Sequence, residues 1–197
     1  MNTLRVERLE YYNLEPVSLK VGEEIVGLAG ASGSGKTLFL RAIADLDPHG
    51  GKVFLNGDEQ TDFPPPEWRN KVGFLPTEST WWFDKVGEHF EQVNEEWFNK
   101  LGFDRDVLDW QTDRLSSGEK QRLAFLRVLG IEPSALLLDE PTANIDSGNT
   151  KNVIDLVSAY HKQHHIPVIW VSHTIEQLRD IASRIFVIQD QKILPEK

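Results

Sequence analysis

The chain has 197 residues, with 40% hydrophobic and 26% charged residues, as is ordinary for a globular protein of one domain. Its formal net charge of −10 argues against a broad nucleic-acid-binding face, which needs clustered lysine and arginine, so we expect no nucleic-acid partner. The chain contains no cysteine, which excludes disulfides, thiolate metal ligands and cysteine nucleophiles.

Short apolar strands and helical segments alternate along most of the chain. In chain order, the pattern predicts strands at 4–9, 16–19 and 24–29, a helix at 37–44, strands at 52–55 and 71–75, a helical stretch at 78–114, a helix at 117–130, a strand at 135–138, a helix at 147–164, a strand at 167–171, a helix at 175–181 and a strand at 184–188. Consecutive prolines predict a loop at 63–67, because proline lacks the backbone donor. The alternation predicts an α/β fold with a mostly parallel sheet covered on both faces.

The segment 78–114 is unusually rich in aromatic residues. We interpret it as the first part of a small helical subdomain, about 78–130, inserted between strands of a single domain that covers 1–197. Trp81, Trp82 and Phe83 are adjacent, and three large rings in a row cannot all point inward from one helix. Either these rings form the small core of the subdomain, or at least one is exposed or lies in a groove that receives a partner.

A glycine-rich turn, residues 30–37 with the sequence GASGSGKT, lies between a predicted apolar strand and a predicted helix. It fits the P-loop pattern, in which glycines let backbone N–H groups point at phosphate oxygens. Lys36 would place a cation at the β- and γ-phosphates, and Thr37 would offer its hydroxyl to Mg²⁺. The candidate nucleotide-binding residues are Gly30, Ser32, Gly33, Ser34, Gly35, Lys36 and Thr37.

Two acids, Asp139 and Glu140, follow the fully apolar predicted strand at 135–138. Ligands bind at the carboxyl ends of the strands in such sheets. We expect Asp139 to hold Mg²⁺, and Glu140 to accept a proton from the attacking water or to orient it. His173 follows another predicted strand and is either a contact to the γ-phosphate or a polar surface residue.

Residues 115–122 (LSSGEKQR) closely resemble the signature motif of the ABC ATPases, a family of ATP-driven transport proteins and switches. Residues 35–37 resemble its Walker A motif, 138–140 its Walker B motif, 141–146 its D-loop, and His173 its switch histidine. The resemblance extends from about Leu4 to Ile188. It implies a P-loop NTPase fold with an antiparallel β subdomain on the N-terminal side and a helical subdomain inserted in a RecA-like core.

The resemblance also implies a Mg²⁺-dependent ATPase that one chain cannot complete. In this family two ATP molecules lie between two head-to-tail domains, so part of each site comes from the partner. The signature occurs once here, which implies a homodimer or a pairing with a similar subunit. Glu119 also permits a local interpretation of Ser116, because the two residues fit a helix capping box. The residues expected to reach the partner's ATP are Ser116, Ser117, Gly118 and Asp146.

Two positions of the family pattern, the adenine-stacking aromatic and the Gln after one strand, are less clear in this sequence. The family's adenine-stacking aromatic falls at Tyr11 or Tyr12, with Tyr12 preferred, although a tyrosine packed on the core is the alternative for each. The family's usual Gln after the strand at 71–75 is replaced by Thr77. Direct contact of Thr77 with Mg²⁺ would need the loop to move inward, and Glu78 is either a substitute or a solvated surface acid.

No stretch of about 18 apolar residues and no signal peptide are found, so the chain is expected to stay in the cytoplasm. The resemblance implies an ATPase subunit attached to the inner face of the cell membrane through a separate integral permease. The short length and the segment 168–173 most resemble the small iron-export type. The alternative is a soluble ABC ATPase that acts as a nucleotide switch on a non-membrane partner.

Overall fold

A computed structural model of the chain describes residues 2–196. Its strands are β1 (Leu4–Glu10), β2 (Val17–Val21), β3 (Ile25–Gly30), β4 (Gly50–Leu55), β5 (Asp58–Glu59), β6 (Val72–Leu75), β7 (Ala135–Asp139), β8 (Val168–Val171), β9 (Arg184–Gln189) and β10 (Lys192–Pro195). Its α-helices are α1 (Lys36–Ile43), α2 (Pro65–Lys71), α3 (Glu95–Lys100), α4 (Ser117–Gly130), α5 (Ser147–His164) and α6 (Ile175–Ile181).

A six-stranded sheet with the order β10-β9-β3-β8-β7-β6 forms the centre of the fold. Its pairs from β9 to β6 are parallel, and only the edge strand β10 runs antiparallel to its neighbour β9. A second sheet with the order β2-β1-β4-β5 is antiparallel. The predicted α/β fold, with a mostly parallel central sheet and an antiparallel sheet on the N-terminal side, is confirmed.

The central sheet is buried on both faces, which explains why its strands are continuously apolar. Leu136 and Leu138 of β7 belong to one hydrophobic cluster, and Leu137 between them belongs to another, because successive side chains of a strand point to opposite faces. Helices α4, α5 and α6 cover the first face, while α1, α2 and the antiparallel sheet cover the second. The central sheet therefore lies between two hydrophobic cores, one on each face.

The predicted loop at 63–67 is wrong in its second half, because α2 begins at Pro65. Proline is tolerated in the first turn of a helix, where its missing N–H would have no intrahelical partner. The predicted helical stretch at 78–114 is also only partly right. It contains the six-residue helix α3, and its other helical segments are the short 3₁₀ turns Val86–His89, Arg105–Asp109 and Thr112–Arg114.

None of the helices within residues 2–196 is both long enough and apolar enough to cross a membrane. The longest, α5, has 18 residues, of which Val153, Leu156, Val157 and Tyr160 are buried. Its basic last turn and its polar outer surface are those of a helix that packs one face on a sheet.

Candidate active site

The glycine-rich turn leads directly from β3 into α1, in the context that the sequence predicted. Gly33 and Gly35 have φ angles of 75° and 101°, a region that side chains with a Cβ adopt only at a cost. Gly35 precedes the first residue of α1, and a Cβ added there would lie 2.9 Å from Cδ1 of Leu14. These glycines allow the turn to wrap tightly around the N-terminal end of α1, where the helix dipole favours negative charge.

Lys36 lies across the mouth of this turn and is mostly buried. Its ammonium donates hydrogen bonds to the carbonyl oxygens of Gly30 (2.8 Å) and Ala31 (3.0 Å). Burial lowers the pKa of Lys36 below its usual range, while the charges of Glu140 and Asp139 oppose that shift. The turn therefore contains a cation that interacts electrostatically with the two acids at the end of β7.

A second polar group of the turn is the hydroxyl of Ser34. It is buried and has no hydrogen-bond partner among the residues that the structure describes. A buried hydroxyl without a partner is costly unless a ligand or water satisfies it. Its position between the glycines of the turn suits a phosphate oxygen as that partner.

Thr37 and Asp139 are brought together by α1 and β7, although they are far apart in sequence. The Thr37 hydroxyl donates a hydrogen bond of 2.7 Å to Oδ2 of Asp139. Asp139 is the last residue of β7 and is only 1% exposed. A hydroxyl and a buried carboxylate side by side are oxygen ligands of the kind that Mg²⁺ prefers.

Glu140 and His173 lie beyond the ends of the neighbouring parallel strands β7 and β8. Nδ1 of His173 lies 2.7 Å from Oε2 of Glu140. Because the carboxylate accepts, Nδ1 carries the proton of this bond and Nε2 faces away from Glu140. Glu140 has a φ angle of 52°, a left-handed conformation that costs on the order of 1–3 kcal/mol and is frequent at functional sites.

A set of side chains that the sequence analysis missed connects the loops after β7 and β8. Ser172 donates to Oε1 of Gln177 (3.0 Å), and Gln177 donates from Nε2 to the hydroxyl of Thr142 (2.8 Å). The Ser172 hydroxyl also accepts from the backbone N–H of Thr174 (3.1 Å). These bonds hold the loop with His173 against the loop with Glu140.

The signature segment forms the start of α4. Ser116 is the N-cap, and its hydroxyl accepts from the backbone N–H of Glu119, whose carboxylate accepts from the backbone N–H of Ser116. The capping box is therefore present, and its hydrogen bonds lower the pKa of the Glu119 carboxyl. Ser117 is the first helical residue and is exposed. A Cβ on Gly118 would lie 2.8 Å from the carbonyl oxygen of Asn144, which explains the glycine there.

Asp146 has a clear local role as the N-cap of α5. Its Oδ1 accepts from the backbone N–H groups of Gly148 (3.0 Å) and Asn149 (3.1 Å), and the Asn149 side chain donates to Oδ2. These hydrogen bonds, chiefly those from Asn149, lower the pKa of Asp146. Nη1 of Arg122, in α4, lies 4.0 Å from Oδ2 of Asp146. The contact with a partner chain predicted for Asp146 stays a prediction.

The structure separates the two tyrosines that the sequence left as alternatives. Tyr11 is buried against Phe39, with the ring centroids 5.4 Å apart, whereas Tyr12 is 67% exposed. Tyr12 lines a cavity of about 350 Å³ beside the glycine-rich turn. Residues 188–191, where β9 turns into β10, also line this cavity, and the sequence analysis did not identify them.

Thr77 follows β6 and is partly buried. Its hydroxyl has no hydrogen-bond partner within residues 2–196, so the structure does not connect it to Thr37 and Asp139. The carbonyl oxygen of the preceding Pro76 accepts from Nε2 of Gln121 in α4 (3.2 Å). This bond ties the backbone before Thr77 to α4.

Comparisons with known proteins agree with this architecture. The ABC transporter family model matches residues 14–143. The EcfA2 energy-coupling factor transporter ATP-binding protein of Acetivibrio thermocellus is 32% identical over 90% of this chain and 69% of its own length. The molybdate/tungstate import ATP-binding protein WtpC of Methanocaldococcus jannaschii is 32% identical over 93% of this chain and 65% of its own length.

Solved structures show the same fold at lower identity. A dimeric ATP-binding cassette in a post-hydrolysis state with ADP and Pi superposes with a TM-score of 0.84 at 22% identity, covering 98% of both chains. A bacterial Atm1-family ABC exporter with ATP bound superposes with a TM-score of 0.84 at 20% identity. The match covers 97% of this chain and 37% of the exporter chain. With the family model matching well over half of its length, the chain belongs to the ABC transporter family and is an ATP-binding ABC-type ATPase.

Proposed function

We propose that this chain is the ATP-hydrolysing subunit of a membrane transporter and works as one of two subunits that enclose ATP between them. The observation that carries the proposal is the convergence of Lys36, the Thr37–Asp139 pair and the Glu140–His173 pair on one edge of the central sheet. This arrangement binds phosphate, offers oxygen ligands to a cation and places a carboxylate base beside both.

The glycine-rich turn provides the phosphate contacts in this proposal. Backbone N–H groups at Gly30, Ser32, Gly33, Ser34 and Gly35 bind phosphate oxygens, and the N-terminal end of α1 adds a favourable dipole. The N–H of Ser34 exchanges its bond to the carbonyl oxygen of Ala31 (3.1 Å) for one to a phosphate. Lys36 exchanges its bonds to backbone carbonyls for bonds to the β- and γ-phosphates. The exposed ring of Tyr12 stacks on the adenine, which extends the site along the cavity beside the turn.

Mg²⁺ fits the Thr37–Asp139 pair. Mg²⁺ usually takes one or two protein oxygens and completes its shell with water and substrate phosphates. The Thr37 hydroxyl and the Asp139 carboxylate are two such protein oxygens, side by side at the end of β7. Mg²⁺ supplies charge neutralisation at the phosphates. Asp139 and Thr37 hold it at the end of β7, and Thr77 is a further candidate contact.

Glu140 is the proton acceptor for the attacking water, or it orients that water. Its hydrogen bond with Nδ1 of His173 fixes the carboxylate and directs Nε2 of His173 away from it. From that position His173 contacts the γ-phosphate. The contacts of Ser172, Gln177 and Thr142 support the arrangement by holding both loops together.

The second half of each ATP site comes from the partner subunit in this proposal. The N-terminal end of α4 exposes Ser116 and Ser117, while Gly118 brings the signature close to the loop before α5. These residues and Asp146 contact the ATP held by the opposite chain, and the single signature favours a homodimer. Residues 1–197 act as one ABC-type domain with its inserted subdomain at about 78–130.

The membrane partner is a separate permease that holds the subunit at the inner face of the cell membrane. The named relatives are ATP-binding proteins of transport systems, which supports this part of the proposal. Trp82 is 61% exposed and Phe83 is also exposed, so both are available to a partner. Resemblance to the iron-export type stays a prediction.

The test of this function is recovery of the partner. We expect the tagged subunit, isolated without ATP from gently solubilised membranes of its own cell, to retain a multi-spanning membrane protein. The Trp82→Ala variant should retain at most about a tenth as much of this membrane protein as the wild type, as expected for loss of a central aromatic contact. Binding of ATP, measured by calorimetry, should stay unchanged.

Leu194→Ala is the matched control, because Leu194 in β10 is also an exposed large apolar residue and lies far along the chain from the aromatic segment. It should recover as much membrane protein as the wild type. Recovery of soluble partners alone, from a preparation that preserves other membrane complexes, would favour the soluble nucleotide switch and leave the ATPase assignment intact.

Thr77→Gln tests the unusual residue after β6. The substitution restores the amide that the family usually has at this position, so we expect the rate of hydrolysis to change while ATP affinity stays within about threefold of wild type. Steady-state phosphate release and calorimetry measure the two quantities, and Thr77→Val controls for loss of the hydroxyl alone. Unchanged turnover in both variants would place this residue outside the catalytic path.

A further inference from the structure

Gln177 of α6 has both ends of its side-chain amide occupied, although it lies outside the loops that carry Glu140 and His173. Its Oε1 accepts from the Ser172 hydroxyl at 3.0 Å, and its Nε2 donates to the Thr142 hydroxyl at 2.8 Å. Ser172 directly precedes His173, and Thr142 lies two residues after Glu140. The amide therefore connects the two members of the Glu140–His173 pair through their neighbours in the chain.

The helix that carries Gln177 is anchored on the central sheet. The next residue, Leu178, is fully buried and packs so closely on β3 that a Cβ on Gly27 would lie 3.2 Å from Cβ of Leu178. Ile175 and Ile181 of the same helix pack on the same hydrophobic core. A helix packed this closely cannot shift without displacing the side chains around it, so α6 is a fixed support for the amide.

The Ser172 hydroxyl closes a short turn with His173 at its tip. It accepts a hydrogen bond of 3.1 Å from the backbone N–H of Thr174. The backbone N–H of Ser172 donates to the carbonyl oxygen of Leu28 in β3 (3.2 Å), so the start of the turn is fixed on the sheet. Because a hydroxyl has one proton, donating it to Gln177 leaves a lone pair of the oxygen for the Thr174 N–H. Gln177 thus fixes the rotation of this hydroxyl and the turn that presents His173.

The residues on either side of this link differ sharply in burial. Ser172 is only 1% exposed, so its hydroxyl depends on Gln177 and not on water for an acceptor. The side chain of His173, in contrast, is 73% exposed. An imidazole this exposed gains little order from packing. Its position therefore depends on the backbone turn at Ser172 and on its hydrogen bond with Glu140.

The other end of the amide holds the loop after β7. The backbone N–H of Glu140 donates to the carbonyl oxygen of Val171 (3.1 Å), and the N–H of Ala143 donates to the carbonyl oxygen of Glu140 (3.0 Å), so this loop begins as a tight turn. Thr142 lies inside that turn, and its bond from Gln177 attaches it to α6. Both loops are therefore held to the sheet by backbone hydrogen bonds and to α6 by the same glutamine.

We propose that Gln177 is a positioning residue for ATP hydrolysis, which sets where His173 meets the γ-phosphate and takes no part in ATP binding. The proposal rests on the roles proposed above for Glu140 and His173, and adds the residue that holds them in register. A misplacement of about 1 Å can cost about 100-fold in rate, so a side chain that never touches the substrate can control turnover. The amide is neutral, so it orients the pair without adding a charge beside Glu140.

The test compares hydrolysis and ATP binding in variants of the full chain. Gln177→Met keeps the length of the side chain and removes both hydrogen bonds, so the rate at saturating Mg-ATP should fall about tenfold while the Kd stays within about twofold of wild type. Gln177→Glu should recover the rate to within about threefold of wild type, because a carboxylate accepts from both hydroxyls once that of Thr142 rotates. Single-turnover phosphate release and titration calorimetry measure the two quantities.

Gln163→Met is the matched control, because it makes the same change at an exposed position of α5. Its rate and its Kd should both stay within about twofold of wild type.

A double-mutant cycle distinguishes positioning of His173 from general damage to the fold. His173→Ala removes the side chain that Gln177 positions, so adding Gln177→Met to it should lower the rate further by less than about twofold. If thermal unfolding shows that Gln177→Met does not fold, Thr142→Val takes its place, because it keeps the bond between Gln177 and Ser172. Its rate should fall about threefold, again only when His173 is present.

The remaining outcomes contradict the proposal at separate points. A wild-type rate in Gln177→Met, or a loss of Mg-ATP affinity as large as the loss of rate, would show that Gln177 does not act on hydrolysis itself. A tenfold fall in the His173→Ala background as well would show that it does not act through His173. The transporter function would stand in both cases. A wild-type rate in His173→Ala alone would overturn the role of His173 together with this proposal, and recovery of the membrane partner would still test the transporter function separately.

Discussion

Lys36→Met should reduce the affinity for Mg-ATP at least about 30-fold, because truncating one partner of a buried charge pair costs roughly 2–5 kcal/mol and each 1.4 kcal/mol is tenfold. Methionine keeps most of the aliphatic stem but removes the ammonium that now donates to the carbonyls of Gly30 and Ala31. Titration calorimetry measures the affinity. Thermal unfolding shows whether the turn still folds without these two hydrogen bonds.

The shifted pKa of Lys36 gives a second readout for the same variant. Burial lowers this pKa, so the side chain of the free protein loses its charge at a lower pH than an exposed lysine does. Affinity for ATP should therefore fall as the pH rises through the lowered pKa in the wild type, and the fall should be absent in Lys36→Met. Lys52→Met, which removes a surface pair with Glu59, is the control and should behave as the wild type. Unchanged affinity in Lys36→Met would remove this lysine from the phosphate site.

The glycine-rich turn and the acids at the end of β7 could be located from the sequence because each is encoded by neighbouring residues. Gly33 and Gly35 adopt positive φ angles that make glycine the natural residue, so the spacing of the motif reflects the backbone itself. Asp139 ends a strand that is buried on both faces, and such a strand shows as a continuous apolar run. The packing that joins Thr37 to Asp139 then follows from the strand order of the fold.

The aromatic segment was predicted less well because its backbone conformation depends on side-chain contacts and not on a periodic sequence pattern. Trp82 and Phe83 are held by His89 through backbone hydrogen bonds, and no helical pattern encodes that arrangement. The edge strand β10 was missed for a different reason. Its turn uses Asp190 and Gln191 at positive φ, where glycine or asparagine would have given the usual hairpin signal.

The link between Gln177 and Thr142 was also invisible in the sequence. Thr142 lies in the loop after β7 and Gln177 in the first turn of α6, and the two meet only because β7 and β8 are neighbours in the sheet. A glutamine at the start of a helix normally indicates a solvated side chain. Only the structure shows that it connects the loop of His173 to the loop of Glu140, where it acts by positioning rather than by contact with the reacting atoms.

Glu140→Gln should lower the rate of ATP hydrolysis about 100-fold or more, the usual contribution of a positioned proton acceptor, while ATP binding is retained. The amide has the same shape, and its oxygen can still accept the hydrogen bond from Nδ1 of His173, so the two loops should keep their positions. Because ATP would stay bound, we expect the variant to accumulate as a dimer. Size-exclusion chromatography with and without ATP, and single-turnover phosphate release, measure the two effects.

Glu67→Gln is the matched control, since Glu67 forms a surface pair with Lys71 and the same change of charge there should leave turnover within about twofold of wild type. Turnover by Glu140→Gln near the wild-type rate would mean that Glu140 neither accepts the proton nor orients the water. The left-handed backbone at Glu140 and its hydrogen bond to His173 would then serve to shape the loop. Slow turnover without an ATP-dependent dimer would instead separate the two parts of the proposal. It would support Glu140 as the proton acceptor and contradict an ATP site shared between two subunits.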